Sequence, residues 1–165
     1  MPRRKPSPAM RRTITPEASR YRLKVRRSHI HRWGVFAGEA IPAGRKVIEY
    51  TGELVPYSRI LKAHKRHWKS SLHTAVYLAR LNMRWVINGA VGGNGAELIN
   101  HCCDPNLAYR REGRHVLVFS RRKIKKGEEL TVDYRFHPDA EQIPCHCGSA
   151  GCRGTINCRR KRKRR

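Results

Sequence analysis

The stretch Asn88-Gly-Ala-Val-Gly-Gly-Asn-Gly-Ala-Glu-Leu-Ile-Asn-His-Cys-Cys-Asp-Pro-Asn106 has the composition of neither an ordinary helix nor an ordinary strand. It contains four glycines, four asparagines, one histidine and two adjacent cysteines. Glycine lets backbone come close to a ligand or to other backbone, and asparagine offers both donors and acceptors. Because the apolar pair Leu98-Ile99 directly precedes Asn100-His101, we expect polar groups to be presented at the end of a buried segment, where sites are often built.

The same stretch does not match the two common phosphate-binding patterns. A Walker A loop ends in Gly-Lys-Ser/Thr, and the dinucleotide fingerprint needs a third glycine where Leu98 stands. Glycine clusters are more often plain loops than ligand cradles. The stretch therefore indicates a site only together with evidence from elsewhere in the chain.

The charge of the chain is strongly positive and unevenly distributed. There are 37 Lys and Arg against 12 Asp and Glu, a formal net charge of +25. Residues 159–165 are basic without interruption, and residues 121–126 contain five more basic side chains. This balance predicts contact with a polyanion, most simply nucleic acid through the basic tails. A solvated, disordered tail would have the same composition.

Segments that would direct the chain to a membrane or to secretion are missing from the sequence. No apolar run approaches the ~20 residues of a membrane span, and the N-terminus lacks the apolar core of a secretory signal. We therefore expect an intracellular monomer without membrane contact. Its location would be the nucleus or a chromosome in a eukaryote, and the cytoplasm or nucleoid in a bacterium.

The pattern of short apolar segments and frequent turns predicts a mostly β domain with short helices. One helix is expected from Pro56 to Lys69, because Leu61, His64 and Trp68 share one face. Paired strands are expected over 75–79 and 85–87. The predicted divisions are a disordered basic tail over 1–20, a domain over 21–137, a cysteine module over 141–157 and a basic tail over 158–165.

The cysteine module predicts a metal site. Six cysteines without a secretory signal indicate metal rather than disulfides, and the spacing Cys145-x-Cys147-x4-Cys152 brings three thiols within eight residues. Structural zinc takes four ligands, so the fourth must come from elsewhere. The spacing leaves it open among Cys102, Cys103, His146 and Cys158. A zinc-finger-like nucleic-acid binder is a weaker interpretation of the same module.

Five segments carry recognisable motifs: His31–Ala37, Tyr50–Glu53, Gly93–Asn106, Gly127–Phe136 and Cys145–Asn157. The last of them fits the pattern Cys-x-Cys-Gly-Ser-x-x-Cys-Arg-Gly-Thr-Ile-Asn. Together these segments resemble the SET-domain protein lysine methyltransferases that carry a post-SET zinc module. The resemblance runs from about Tyr21 to Asn157, and the segments follow the family's order.

The resemblance implies a fold of small curved β-sheets in which Asn100–Cys103 forms a C-terminal pseudoknot with the last strand. It implies S-adenosyl-L-methionine as cofactor, a structural zinc and a protein substrate with a target lysine. A basic, nucleic-acid-associated protein such as a histone or histone-like protein is the expected substrate. By position it assigns Trp33, Tyr77, Asn100 and His101 to the cofactor, Tyr134 and Tyr109 to catalysis, and Cys103, Cys145, Cys147 and Cys152 to zinc.

Several positions depart from the family pattern. Arg32 replaces a glycine, Glu97 replaces an arginine, Cys102 replaces a serine, and Val132 replaces an aromatic residue that helps to set the number of methyl groups in some members. Tyr109 lies where other members have a tyrosine with that role. The departures at 32 and 97 keep open an inactive SET scaffold that serves as a nucleic-acid-associated binding module.

The positive net charge also bears on the substrate, since a histone tail is itself basic. DNA could bridge the two proteins, or acidic side chains could line the substrate groove. The acids expected there are Glu49, Glu53, Glu97, Asp133, Asp139 and Glu141.

Overall fold

The computed structural model describes residues 12–66 and 77–160, apart from the side chains of 63–66. In this part of the chain the architecture is mostly β, as predicted. The strands are β1 (Leu23–Arg27), β2 (Trp33–Ala37), β3 (Lys46–Tyr50), β4 (Glu53–Pro56), β5 (Leu78–Arg80), β6 (Trp85–Asn88), β7 (Asn100–His101), β8 (Leu107–Glu112), β9 (His115–Ser120) and β10 (Glu129–Val132).

A single α-helix of this region, α1 (Tyr57–Arg66), begins directly after the proline that was predicted to start it. The predicted end at Lys69 lies outside the described residues, as do Trp68 and the side chain of His64. Short 3₁₀ turns occur at Pro16–Ala18 and Ala96–Leu98. The second of these lies inside the stretch rich in glycine and asparagine and delivers Asn100 to β7.

The strands form three small sheets, with the orders β1-β2-β10-β7, β3-β9-β8 and β4-β6-β5. In the first sheet, β10 pairs antiparallel with β2 and parallel with β7. Thr131 lies opposite Asn100 and Val132 opposite His101, and the Cys102 amide donates to the Val132 carbonyl at 3.0 Å. The predicted pairing of Asn100–Cys103 with the last strand is therefore confirmed.

The core lies where the sheets meet. Its fully buried side chains come mainly from β-branched residues, which suit a pleated surface, and each contributes about 1.5–3 kcal/mol by burial. Leu130 on β10 is 0% exposed, so the strand that leads to Tyr134 is firmly held. The side chains below 2% exposure include Val35, Val47, Ile48, Ile99, Leu107, Val116, Val118 and Val132.

Residues 12–20 do not form the disordered tail that their composition predicts. The Thr15 amide donates to the Asn94 carbonyl at 2.9 Å, the Ser19 hydroxyl donates to the Val47 carbonyl at 2.8 Å, and Ile14 packs against the core. A Cβ at Gly95, where φ is +100°, would lie 2.6 Å from Ile14 Cδ1. Glycine at this turn thus allows the backbone of residues 13–14 to pack closely against the backbone at position 95. Residues 1–11 lie outside the described residues, and the other predicted divisions of the chain stay predictions.

Candidate active site and cysteine cluster

Two cavities meet at one tyrosine. The first, of about 610 Å³, is lined by all four predicted cofactor residues: Trp33, Tyr77, Asn100 and His101. The second, of about 380 Å³, is lined by Tyr109. Tyr134 and Glu97 line both cavities. Tyr134 and Glu97 are therefore wall residues common to both cavities.

Tyr134 follows β10 directly and is fixed through both its backbone and its hydroxyl. Its amide donates to His101 Nδ1 at 3.1 Å, and its hydroxyl donates to the Ile99 carbonyl at 3.0 Å. Burial raises the pKa of Tyr134 far above its ordinary value. The phenol therefore stays protonated at neutral pH, and the lone pairs of its oxygen remain able to accept a hydrogen bond from a group in the second cavity.

His101, which accepts the Tyr134 amide, is buried and only 3% exposed. Because Nδ1 accepts a backbone N–H, the ring proton lies on Nε2, which is 3.4 Å from Cys103 Sγ. Burial lowers the pKa of His101 to about 4, against the attraction of Asp133. Both ring nitrogens of the neutral imidazole thus have partners within the protein, so contact with a molecule in the first cavity would involve the ring carbons or the backbone.

Asn100 connects β2, β7 and β10. Its Nδ2 lies 2.9 Å from the Trp33 carbonyl and 2.8 Å from Glu129 Oε1. The Ser28 hydroxyl donates to the same carboxylate. The sequence motifs did not single out Glu129, although it belongs to the matching segment Gly127–Phe136. Asn100 and Glu129 together lock β2, β7 and β10 in register.

Tyr50 is a second residue that the sequence motifs did not assign to the site. Its hydroxyl donates to the Tyr77 carbonyl at 2.7 Å, and its ring meets Tyr109 edge to face at 6.4 Å between centroids. Burial raises the pKa of both Tyr50 and Tyr109. Tyr50 thus contacts Tyr77, a wall residue of the first cavity, and Tyr109, a wall residue of the second. Its place in the matching segment Tyr50–Glu53 was the sequence feature that could have indicated this role.

The four predicted zinc ligands come together although Cys103 is far from the others in sequence. The sulfurs of Cys103, Cys145, Cys147 and Cys152 all lie within 4.8 Å of one another. Cys103 Sγ and Cys145 Sγ are 3.7 Å apart, and a zinc tetrahedron with Zn–S bonds of about 2.3 Å has edges of about 3.8 Å. The donor set and its spacing therefore fit zinc. Cys102, Cys158 and His146 are not part of this cluster.

The cysteine module is docked next to the catalytic candidate. Arg153 forms a bidentate pair with Asp133, with N–O distances of 2.8 and 3.1 Å, and the Arg153 amide donates to Cys103 Sγ. Pro144, Cys145 and Ile156 line the first cavity. The module therefore forms part of the wall of this cavity.

Comparison with known proteins places the chain in a family. The profile of the SET domain family matches residues 32–135. The chain belongs to the SET domain family. It is 39% identical over 145 residues to histone-lysine N-methyltransferase set1 of Dictyostelium discoideum, which covers 86% of this chain and 10% of that protein. It is 41% identical to histone H3-lysine(4) N-trimethyltransferase ATX1 of Arabidopsis thaliana, over 86% of this chain and 14% of that protein.

Solved structures agree with this assignment. A structure of Arabidopsis thaliana SUVH6 in complex with SAM has a TM-score of 0.70 and 27% identity, over 85% of this chain and 34% of that one. A structure of KRYPTONITE in complex with mCHG DNA and SAH has a TM-score of 0.69 and 28% identity, over 84% of this chain and 29% of that one. The chain thus spans a small part of these proteins. In the part of the chain that the structure describes, every helix is too short or too polar to cross a membrane.

Arg32, where the SET pattern has glycine, has a φ of +39°. This left-handed conformation suits glycine and costs a residue with a side chain on the order of 1 kcal/mol. The guanidinium groups of Arg12 and Arg27 both contact the ring of the neighbouring Trp33, at 4.8 and 4.6 Å from its centroid. Arg32 thus adopts, at a cost in strain, a backbone conformation that suits glycine, and with Arg12 and Arg27 it makes part of the wall of the first cavity basic.

Glu97, where the SET pattern has arginine, is 5% exposed. Its Oε2 accepts the Gly95 amide at 2.9 Å, and burial raises its pKa above the ordinary value. The buried carboxylate stabilises its own turn while it lines both cavities. The reversed charge is therefore accommodated within the local backbone.

Proposed function

We propose that this SET domain is an S-adenosylmethionine-dependent protein-lysine N-methyltransferase. The observation that carries the proposal is the meeting of the two cavities at Tyr134. The names of the relatives, which are histone-lysine methyltransferases, and the SAM- or SAH-bound neighbours support it. Trp33, Tyr77, Asn100 and His101 would surround the cofactor in the first cavity, and the lysine would enter through the second.

When bound, the cofactor supplies a methyl group that is attached to a positively charged sulfur. This sulfur is a good leaving group, because it keeps the electrons of the S–C bond and becomes neutral. The lysine amine attacks with its free electron pair, so it must first lose the proton that it holds with a pKa of ~10.4 in water. Apolar walls that include Ile99, Val116 and Phe136 disfavour the charged ammonium form.

Tyr134 would then orient the neutral amine. Its hydroxyl proton is donated to the Ile99 carbonyl, so its oxygen accepts an amine N–H and leaves the nitrogen lone pair directed toward the first cavity. Such alignment of reacting groups is the chief contribution that this chain's residues make to the rate. Tyr109, from the second cavity, would limit the room around the amine.

The zinc that the four cysteines fit would be structural. Four sulfur ligands leave no open position for a substrate, and Cys145 itself lines the first cavity. We infer that the metal holds the module against β7 and completes the wall around the cofactor.

The direct test combines cofactor titration with methyl transfer. We expect the purified chain to bind S-adenosylmethionine and to add methyl groups to lysines of a mixture of basic and acidic proteins, read by mass spectrometry. Cofactor binding without transfer to any protein would contradict the proposal.

An inactive scaffold is the second candidate, favoured by the strained Arg32 and the buried Glu97. It predicts that the titration shows no cofactor binding.

We further propose that the basic segments bind nucleic acid without sequence preference, which would place the protein on chromatin or a nucleoid. Seven consecutive basic residues at 159–165 can neutralise several phosphates, so affinity should fall steeply with salt. Deleting 159–165 is expected to reduce the slope of log affinity against log salt, measured with a labelled DNA duplex, and to leave cofactor binding intact. An unchanged slope would instead assign the contact to the exposed basic side chains of 121–126.

A further inference from the structure

The rim of the second cavity is basic. Arg80, Arg111 and Arg135 line it, and all three residues are exposed. Arg111 donates from Nε to the Arg80 carbonyl at 2.7 Å, and the Arg80 guanidinium lies 4.5 Å from the centroid of the Tyr57 ring. Among residues 12–66 and 77–160, no ion pair with a carboxylate involves any of the three arginines. Their charges are therefore available to a bound molecule.

Acidic residues do not offset this rim. Of the six acids expected to line a groove, only Glu97 lines the second cavity, and it is buried rather than presented at the edge. Asp133 is paired with Arg153 and Asp139 with Arg160 at 2.7 Å. Glu49 is 2.7 Å from His115. The expectation of an acid-lined groove is therefore wrong for this cavity.

The sequence around Arg80 is also positively charged. Residues 54–96, which run from β4 through α1 to the turn before Glu97, contain no Asp or Glu. The Lys and Arg of this segment are Arg59, Lys62, Lys65, Arg66, Lys69, Arg80 and Arg84.

Behind the rim, the cavity wall is mainly apolar. Leu78, Val86 and Ile99 contribute to it, and it ends at Tyr134. An apolar passage below a cationic rim suits a long aliphatic side chain whose neighbours in the peptide are acidic residues. It suits a nucleic-acid strand less well, because phosphates would pair with the rim but leave the apolar wall unfilled.

We propose that this site prefers lysines flanked by acidic residues to lysines flanked by basic residues. The inference rests on the proposed methyl transfer for the identity of the central residue. Opposite charges at a rim attract the peptide and suppress partners of like charge. The recognition would therefore come from Arg80, Arg111 and Arg135, with the lysine stem filling the cavity.

The test uses three labelled eleven-residue peptides with one central lysine, flanked by Asp and Glu, by Ser and Ala, or by Arg. Fluorescence anisotropy measures their binding to the full chain, and mass spectrometry follows their methylation separately. We expect the acid-flanked peptide to bind roughly tenfold more tightly than the Arg-flanked one at low salt, with the difference shrinking as salt rises. Equal or tighter binding of the Arg-flanked peptide would overturn the inference.

The two measurements separate this inference from the proposed function. If the acid-flanked peptide binds best but no peptide is methylated, the charge preference stands and the methyltransferase proposal fails. If the Arg-flanked peptide binds best and is methylated, the methyltransferase proposal stands and the acidic substrate class is wrong.

A matched pair of variants locates the preference. Arg110 and Arg111 are exposed neighbours on β8, but adjacent side chains of a strand point to opposite faces, and Arg110 lies over the Phe119 ring at 4.1 Å. Arg111→Glu should abolish the preference for acid-flanked peptide, whereas Arg110→Glu, with the same change in net charge, should keep it. Equal loss in both variants would show a general charge effect and overturn the site.

Nucleic acid is the alternative ligand for the basic rim of the second cavity. A 20-base-pair duplex is titrated against the bound acid-flanked peptide, with Arg111→Glu as comparison. We expect little displacement, since the duplex does not fill the apolar wall. Displacement that disappears in Arg111→Glu but persists in Arg110→Glu would assign the rim to nucleic acid and overturn the inference.

Discussion

Replacing Tyr134 by phenylalanine is expected to lower the turnover of methyl transfer by on the order of 100-fold. The ring stays, so its edge contact with His101, at 5.4 Å between centroids, and the stability that it brings should change little. The hydroxyl is lost, and with it the oxygen that would align the lysine amine. Single-turnover rates and cofactor affinity, measured on the same preparation, check the prediction.

Asn100→Ala provides the contrast to this variant. Its side-chain amide holds the Trp33 carbonyl and Glu129, and loss of such a buried hydrogen-bond partner costs about 1–3 kcal/mol. We expect weaker cofactor binding and a lower melting temperature. Tyr134→Phe should keep the cofactor affinity, and its melting temperature should fall only by what the lost hydrogen bond to the Ile99 carbonyl contributes. If Tyr134→Phe turns over as fast as the unmodified chain, Tyr134 is not the orienting residue, and Tyr109, another tyrosine that lines the second cavity, is the next one to replace.

The parts of the site that the sequence predicted are those that depend on residue type and order. Trp33, Tyr77, Asn100 and His101 do line one cavity. β2 and β7, which both pair with β10, bring together Trp33, Asn100 and His101, and the hydroxyl of Tyr50 holds the Tyr77 carbonyl. The roles of these residues stay predictions. Periodicity alone would not have predicted β7, a two-residue strand that pairs in parallel with β10.

The parts that the sequence did not predict depend on contacts between distant segments. Composition marked residues 12–20 as disordered because it does not show that Ile14 and Thr15 have partners at the Gly95 turn. Counting acids likewise suggested an acidic groove, but Asp133 and Asp139 are used by arginines of the chain itself. Whether a charge is free for a ligand depends on its partners in space, which the sequence does not specify.

Replacing Cys103 by serine is expected to remove the zinc and to lower the melting temperature by on the order of 10 °C. Cys103 follows β7, whereas Cys145, Cys147 and Cys152 belong to the C-terminal module, so among these four sulfurs it is Cys103 that would tie the zinc to the sheet. Without it three thiolates remain, and structural zinc needs four ligands. Zinc per chain, determined by elemental analysis of protein purified without chelator, should fall from about one to near zero.

Cys102→Ser is the matched control for this prediction. Cys102 is the adjacent residue, 8% exposed, lies outside the four-sulfur cluster, and has serine in the SET pattern. We expect this variant to keep its zinc and nearly all of its stability, because the hydroxyl can still donate to the Asp104 carbonyl that the thiol contacts. Since Cys145 also walls the first cavity, loss of zinc in Cys103→Ser should weaken cofactor binding as well. Full zinc content in Cys103→Ser, or equal loss in both variants, would contradict the proposed ligand set.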